Sequence, residues 1–418
     1  MKQLLLLPVF AAIFVVACTK DDTTDVTPVV KPDELSVSGE VSGTWKKSSI
    51  ITVKGDIIIP AGKTLTIEEG VSIVMDTTSK PEVIVNGNLY AVGTTANPIK
   101  FSVPEGAKLA KYKFGQLWGG ILAAKTCTEL VLDNVILEYG GAVTTEASTS
   151  VKLGLYKALS GEFDPALWFS NTAGKLVVRN STVRNWRDDA TYIEGGSVIF
   201  ANNTFYTTGL SGGDGINIKS GVIADVAYNL IYSTNTNALK LSGIGGRTPQ
   251  AYVVAYNNTI LNTGWRRPTV KGGSIWVEQS VQADLYNNLM ANCRFGIKRD
   301  VKLPEDKRSI VSNNYYYGYT QDAVTQFQPS TEILAGKNDV IGTKADENDP
   351  KFVNYPTSTD KMNSDFNTAW DFHLSAGSPA LGKGITTFTR NFKDGITING
   401  VLYKSPEPAT YVGAFGTK

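Results

Sequence analysis

From about Gly39 onward the apolar residues fall in short runs that show no helical period. Ile57-Ile58-Ile59, Leu65-Thr66-Ile67, Val83-Ile84-Val85 and Ile99-Lys100-Phe101 are rich in β-branched and aromatic residues and are set off by Gly, Asn and Asp. This pattern predicts many short strands at close spacing. The runs also repeat. The strings LDNVI, RNSTV, ANNTF, AYNLI, AYNNTI, LYNNLM and SNNYYY share a strand end, two small polar positions and a return to apolar residues. Aligned on the second polar position they give Asn134, Ser181, Asn203, Asn229, Asn258, Asn288 and Asn314, at intervals of 47, 22, 26, 29, 30 and 26. Five of the six intervals fit one turn of a stacked solenoid. The first predicts an insertion over Gly141 to Asp164.

A second column runs in phase with the first. The segments ALWF, TYIE, GINIK, ALKL, SIWV and FGIK begin their apolar register at Leu167, Thr191, Ile216, Leu239, Ile275 and Phe295. The widest interval calls for insertions at Gly243 to Pro249 and Trp265 to Lys271. In such a stack each strand pairs with its equivalents about 4.8 Å above and below. Alternate apolar residues then fill a continuous core, and asparagines of successive turns hydrogen-bond along the stack. Asn also accepts the left-handed backbone of a sharp corner. Asn180, Asn202 and Asn257, each in an Asn-x-Ser/Thr string, are therefore expected as corner residues in preference to glycosylation sites.

Composition removes several function classes. The 418 residues hold 40 Lys and Arg against 39 Asp and Glu, so no cationic footprint for nucleic acid exists. His373 is the single histidine, which excludes a multi-histidine metal site. Three cysteines cannot build a disulfide scaffold. Cys127 and Cys293 lie several turns apart, beyond the roughly 7 Å reach of a bridge, and are expected as free, buried thiols.

The first residues read as an address. Lys2 precedes a continuous apolar stretch from Leu4 to Ala17, which is too short to span a membrane. Val15-Val16-Ala17-Cys18 resembles a bacterial lipobox, which implies acylation of Cys18 and an outer-membrane anchor. Thr19-Lys20-Asp21-Asp22 is similar to a surface-export signal of Gram-negative lipoproteins, which implies an extracellular orientation. The composition of 19–38 fits a flexible stalk.

The repeats, together with GDIIIPAGKTLTIEEGVSIVM, VNGNLYAVGTTANPIKFSV and the closing strings DPKFVN, DFHLSAGSPALGKG and YVGAFG, resemble the pectate-lyase-like superfamily. The resemblance implies an all-β, single-stranded, right-handed parallel β-helix. The expected organisation is a signal peptide at 1–17, a lipidated tether at 18–38 and opening coils at 39–103. Central coils at 104–349 and a closing segment at 350–418 follow, in a single copy of the chain. His373 falls in the closing segment and is expected to pack there. The superfamily hosts lyases, hydrolases, adhesins and scaffolds, so the resemblance leaves activity open.

Candidate chemistry collects on the second column. If Leu167 and its equivalents point inward, Trp168, Tyr192, Asn217, Lys240, Trp276 and Gly296 point outward. Ser170, Glu194, Lys219, Ser242, Glu278 and Lys298 follow two positions on. Trp168, Tyr192, Asn217, Lys240 and Trp276 are the expected ligand-binding residues, since aromatic faces stack on sugar rings and amides and amines bind their substituents. The corner before the strand carries Asp188, Asp189, Asp214 and Asn237. Asp189 and Asp214 suit glycoside hydrolysis, and with neighbouring carbonyls they suit Ca²⁺. They equally suit a turn. A β-eliminating lyase needs a base and a neutraliser for the uronate carboxylate; Lys219, Lys240, Lys298, Arg266 and Arg267 are available, with no local signature to select among them. The carboxylate pair, Gly-His and Arg-Ile-Lys motifs of polygalacturonase-like members are not found. Two functions from different classes follow: a surface lipoprotein that binds extracellular glycan or another surface ligand without catalysis, and a polysaccharide lyase or glycoside hydrolase. A structural spacer is the third.

Overall fold

The computed structural model describes residues 33–267 and 272–418. The stretch expected to be an export signal, Cys18, most of the residues expected to form a stalk and the end of the 265–271 insertion lie outside the described residues. Residues 33–418 form one compact unit.

Each complete coil contributes three strands, one to each face of a three-sided solenoid. In one coil these are Gly196–Ala201, Thr204–Thr208 and Ile216–Ile218. The next coil repeats them as Val222–Ala227, Leu230–Tyr232 and Asn237–Ser242. We call these the first, second and third faces. Among the described residues the first face has ten strands, and every pairing between its coils is parallel. Alternation sets what each strand buries. On the third face Ile216, Ile218, Leu239 and Leu241 enter the core, all below 1 % exposed, while Asn217 and Lys240 between them point out.

The corner between the first and second faces shows why the asparagines repeat. Asn203 Nδ2 donates to Asn229 Oδ1 (2.9 Å), Asn229 to Asn258 (2.9 Å), Asn258 to Asn288 (2.8 Å) and Asn288 to Asn314 (3.0 Å). The ladder ends on Asp339, which accepts from Asn314. Each oxygen also takes the backbone N–H of the previous coil, so a buried corner is fully hydrogen-bonded. The residue before each ladder position takes the left-handed backbone, including Asn180, Asn202 and Asn257 at φ 52°, 58° and 49°. At the first rung the sequence register shifts by one: Val135 N–H donates to Ser181 Oγ, and Asn134 is the left-handed residue. A second shift occurs near the other end. Ile297, not Phe295, pairs with Ile275, so Lys298 replaces Gly296 in the outward column and Asp300, not Lys298, follows two positions on. The corner there is two residues longer than the repeat suggested.

The insertion at 141–164 folds back over the third face of the opening coils. Leu155 and Tyr156 cover an outward column of Ile58, Ile84, Leu122 and Trp168. Thr149 Oγ1 donates to Asp56 (2.5 Å), and Ser150 gives both its N–H and its hydroxyl to Glu82 (2.8 and 2.6 Å).

The closing segment does more than end the stack. After the last coils it returns along the outside, where Tyr355, Phe372, Leu374 and Val412 pack on second-face Tyr232, Leu261, Leu289 and Tyr315. Ile396, Ile398 and Tyr403 pack on first-face Val131, Val177 and Ile199. Buried Asp225 fixes it by accepting from Asn391 N–H, Phe392 N–H and Ser405 Oγ (3.0, 2.8 and 2.6 Å). At the far end Ile333–Leu334 runs antiparallel to Ile297–Arg299 and closes the third face.

Cys127 and Cys293 are both free and buried. Desolvation pushes their thiols up to about 12 and about 11, which keeps them protonated and inert. Tyr316 points into the solenoid core, and Tyr315 and Tyr317 are covered by the closing segment. Tyr319 is exposed.

Candidate functional site

The third face carries a cleft of about 470 Å³ between the 141–164 insertion and the corner loops of the later coils. Its floor is the part of the outward column whose register runs Tyr192, Asn217, Lys240, Trp276 from coil to coil. Lys157 of the insertion, Arg267 and Asp300 stand on its walls.

Asp189, Asp214 and Asn237 occupy one corner column, as their spacing implied, and they form a second ladder. Asp189 Oδ1 accepts from Asp214 N–H (2.7 Å), and Asp214 Oδ1 accepts from the N–H and Nδ2 of Asn237 (2.9 and 2.7 Å). The remaining oxygens are joined by Asn217, whose Nδ2 donates to Asp189 Oδ2 (3.0 Å) and Asp214 Oδ2 (3.1 Å). The two carboxylates are thus bridged through one amide, with those oxygens at most about 6 Å apart. Asn217 Oδ1 is buried without a hydrogen-bond partner and lines the cleft.

Electrostatics sharpen this arrangement. Burial, followed by the charges of Asp214 and Asp188, pushes the Asp189 carboxyl up to about 8. Asp188 is also raised, chiefly by burial. Lys219 is 4 % exposed, and burial followed by the charge of Lys240 pulls its amine down to about 8. Burial opposes the charge on Lys240, but Asp214, Glu278 and Asp189 outweigh it and hold that amine above its ordinary value. Lys219 lies over the Tyr192 ring at 5.1 Å, and Lys240 approaches Glu278 at 3.8 Å. Arg267 donates to Thr236 Oγ1 (3.0 Å) and to the Ser211 carbonyl (3.4 Å), while its Nε is buried and unpartnered.

Residues 166–340 match the family model for a right-handed β-helix region. This stretch is a right-handed β-helix. No curated protein and no solved structure matches the chain.

The β-helix brings together Asp189, Asp214, Lys219, Lys240, Tyr192, Asn217 and Trp276 around one cleft. Trp168 is placed elsewhere. It is 4 % exposed under the insertion, and its indole N–H donates to Glu194 Oε2 (2.8 Å). Glu194 is in turn paired with Arg247. Trp276 donates to Glu278 (2.8 Å) and remains half-buried at the cleft. Arg267 is expected only as one of the cations available to a lyase. Lys157 is not expected because it sits on an insertion where coil spacing carries no register, and Asp300 because the corner before its strand is two residues longer than the repeat suggested. No group of three or more His, Cys, Asp or Glu side chains is arranged to hold a metal ion among the described residues. His373 stands away from the cleft, with Nδ1 at 2.6 Å from Asp371 and its ring against Phe415. No helix among the described residues is long and apolar enough to cross a membrane.

Proposed function

We propose that the protein is a lipid-anchored surface protein whose β-helix binds an acidic extracellular glycan in the third-face cleft. One observation carries this: Asp189 and Asp214 are tied into the corner ladder while Lys219, Lys240 and Arg267 of the same cleft remain available. Asp189 and Asp214 spend their oxygens on Asn217 and on backbone N–H groups of the next coil. Among the described residues Lys219 and Arg267 have no carboxylate partner within ion-pair distance, and Lys240 has only the long contact to Glu278. A uronate or sulfate would complete these cations, and Tyr192 and Trp276 offer ring faces beside them. The Cys18 anchor supports the extracellular setting and is tested by mass spectrometry of the mature N-terminus.

Calorimetric titration with oligogalacturonate and with a neutral oligosaccharide of equal length tests the cleft. Lys240→Met and Arg267→Met should each weaken uronate binding roughly tenfold, as expected for one charged hydrogen bond. Unchanged affinity in both variants would overturn the assignment.

A catalytic reading rests on Lys219. A buried amine pulled down to about 8 is suited to abstract a proton α to a uronate carboxyl. Appearance of unsaturated uronate products, abolished in Lys219→Met, would make the protein a lyase. Binding without turnover would make it a non-catalytic receptor.

A further inference from the structure

The second face holds another groove. Two cavities of about 350 and 450 Å³ lie along it and meet at Arg184. Their floor is strand surface, where Ser72, Thr182 and Thr204 present hydroxyls, the last two paired in register on neighbouring coils. None of these three hydroxyls has a hydrogen-bond partner among the described residues. At one end the closing segment stops short and leaves an aromatic wall of half-buried Phe366, Trp370 and Phe415. Phe366 stacks on Tyr206 at 4.2 Å and is packed edge-on by Trp370 at 5.6 Å, so the wall is rigid. The indole N–H of Trp370, like that of Trp45, has no partner among the described residues, whereas Trp118, Trp168, Trp186, Trp265 and Trp276 all donate theirs within the protein.

The charges on this groove are already satisfied. Arg184 pairs with Glu138 (2.6 Å), Lys108 with both Glu138 and Glu105 (2.8 and 2.6 Å), and Asp371 with Lys418 and His373 (2.5 and 2.6 Å). Lys100, at the far end, is the exception. What the groove offers a ligand is therefore free hydroxyls, one indole N–H and aromatic faces, spaced along a rigid repeat. That combination matches the hydroxyl-covered edges and apolar ring faces of sugars and makes little demand for charge.

We propose that this second-face groove is a separate binding site for a neutral polysaccharide chain, stacked on Trp370 and hydrogen-bonded to Thr182 and Thr204. It does not rest on the acidic-glycan assignment of the cleft. The two faces would then hold different polymers, one charged and one neutral.

Affinity electrophoresis of residues 33–418 in native gels tests this with five probes: mixed-linkage β-glucan, arabinoxylan, galactomannan, soluble starch and polygalacturonate. At least one neutral polymer should retard the protein, and Trp370→Ala should lower that affinity tenfold or more. Thr204→Arg, which fills the floor from an outward position without touching the core, should do the same with an unchanged unfolding temperature. Lys240→Met, in the other cleft, should leave neutral-polymer retardation intact. Retardation by none of the neutral polymers, its survival in Thr204→Arg, or its loss in Lys240→Met would overturn the proposal. Failure of polygalacturonate to bind bears only on the third-face cleft.

Discussion

A single buried asparagine illustrates how much one residue carries here. Asn258 accepts from the N–H and Nδ2 of Asn229 and donates to Asn288 Oδ1 and the Val226 carbonyl. Asn258→Ala removes all four bonds and strands donors on Asn229, so it should cost about 3 kcal/mol, read as a lowered urea midpoint. This ladder was legible in the sequence because a fully buried polar corner tolerates very few side chains. The acid ladder was half legible. Spacing brought Asp189 and Asp214 together, but nothing in it revealed that Asn217 would bridge them. Their burial has a pH consequence. Lys219 carries its charge below about 8, and Asp189 gains its charge above about 8. Both changes weaken an anion's hold in the same direction, so affinity for oligogalacturonate should fall as pH rises through about 8. In Lys219→Met calorimetry should find a shallower fall.

At the scale of elements, the 141–164 insertion decides where the cleft begins. The outward column of the third face is apolar through Ile58, Ile84, Leu122 and Trp168, then turns polar at Asn217. The insertion covers the apolar part and ends where the polar part starts. The sequence marked the insertion by an overlong interval but not its direction, because direction depends on which neighbouring coils expose apolar surface. Its root is an acid group formed by buried Glu82 and Asp164 with half-buried Asp56 beside them. Burial raises Asp164 well above its ordinary value, helped by the charge of Glu82, and burial also raises Glu82. Carboxyls raised in the folded state stabilise it below their unfolded values and lose that contribution as pH climbs through the folded ones. Thermal unfolding should therefore show stability falling as pH rises above the ordinary carboxylate range. Asp164→Asn should flatten that loss relative to the parent protein.

For the molecule as a whole, the closing segment is a lengthwise cover. The alternation pattern marks Tyr232, Tyr256 and Tyr286 as outward, and so they are, yet they are buried because residues 352–412 lie on them. Periodicity within coils cannot foresee a partner that arrives more than a hundred residues later. Asp225 is a buried point of attachment on the first face, beside the bonds from Lys175 to the Thr397 carbonyl and from Asn399 N–H to Glu129. Asp225→Ala should release residues 390–405, seen as faster hydrogen exchange of Phe392 and Ser405 while the Asn258 coil stays protected. The cover leaves the third face, with its cleft, to be shaped by the 141–164 insertion and the corner loops.

The reversed pair Ile333–Leu334 has a consequence beyond the cleft. A stack of parallel, in-register strands offers at its end a surface ready to accept one more identical turn, and that surface on another molecule serves as well as one on the same chain. A strand laid in the opposite direction presents the wrong spacing of donors and acceptors to any newcomer. Two residues thus act as a chain terminator on this face, setting a finite length on an architecture that by its own rules would grow into a fibre.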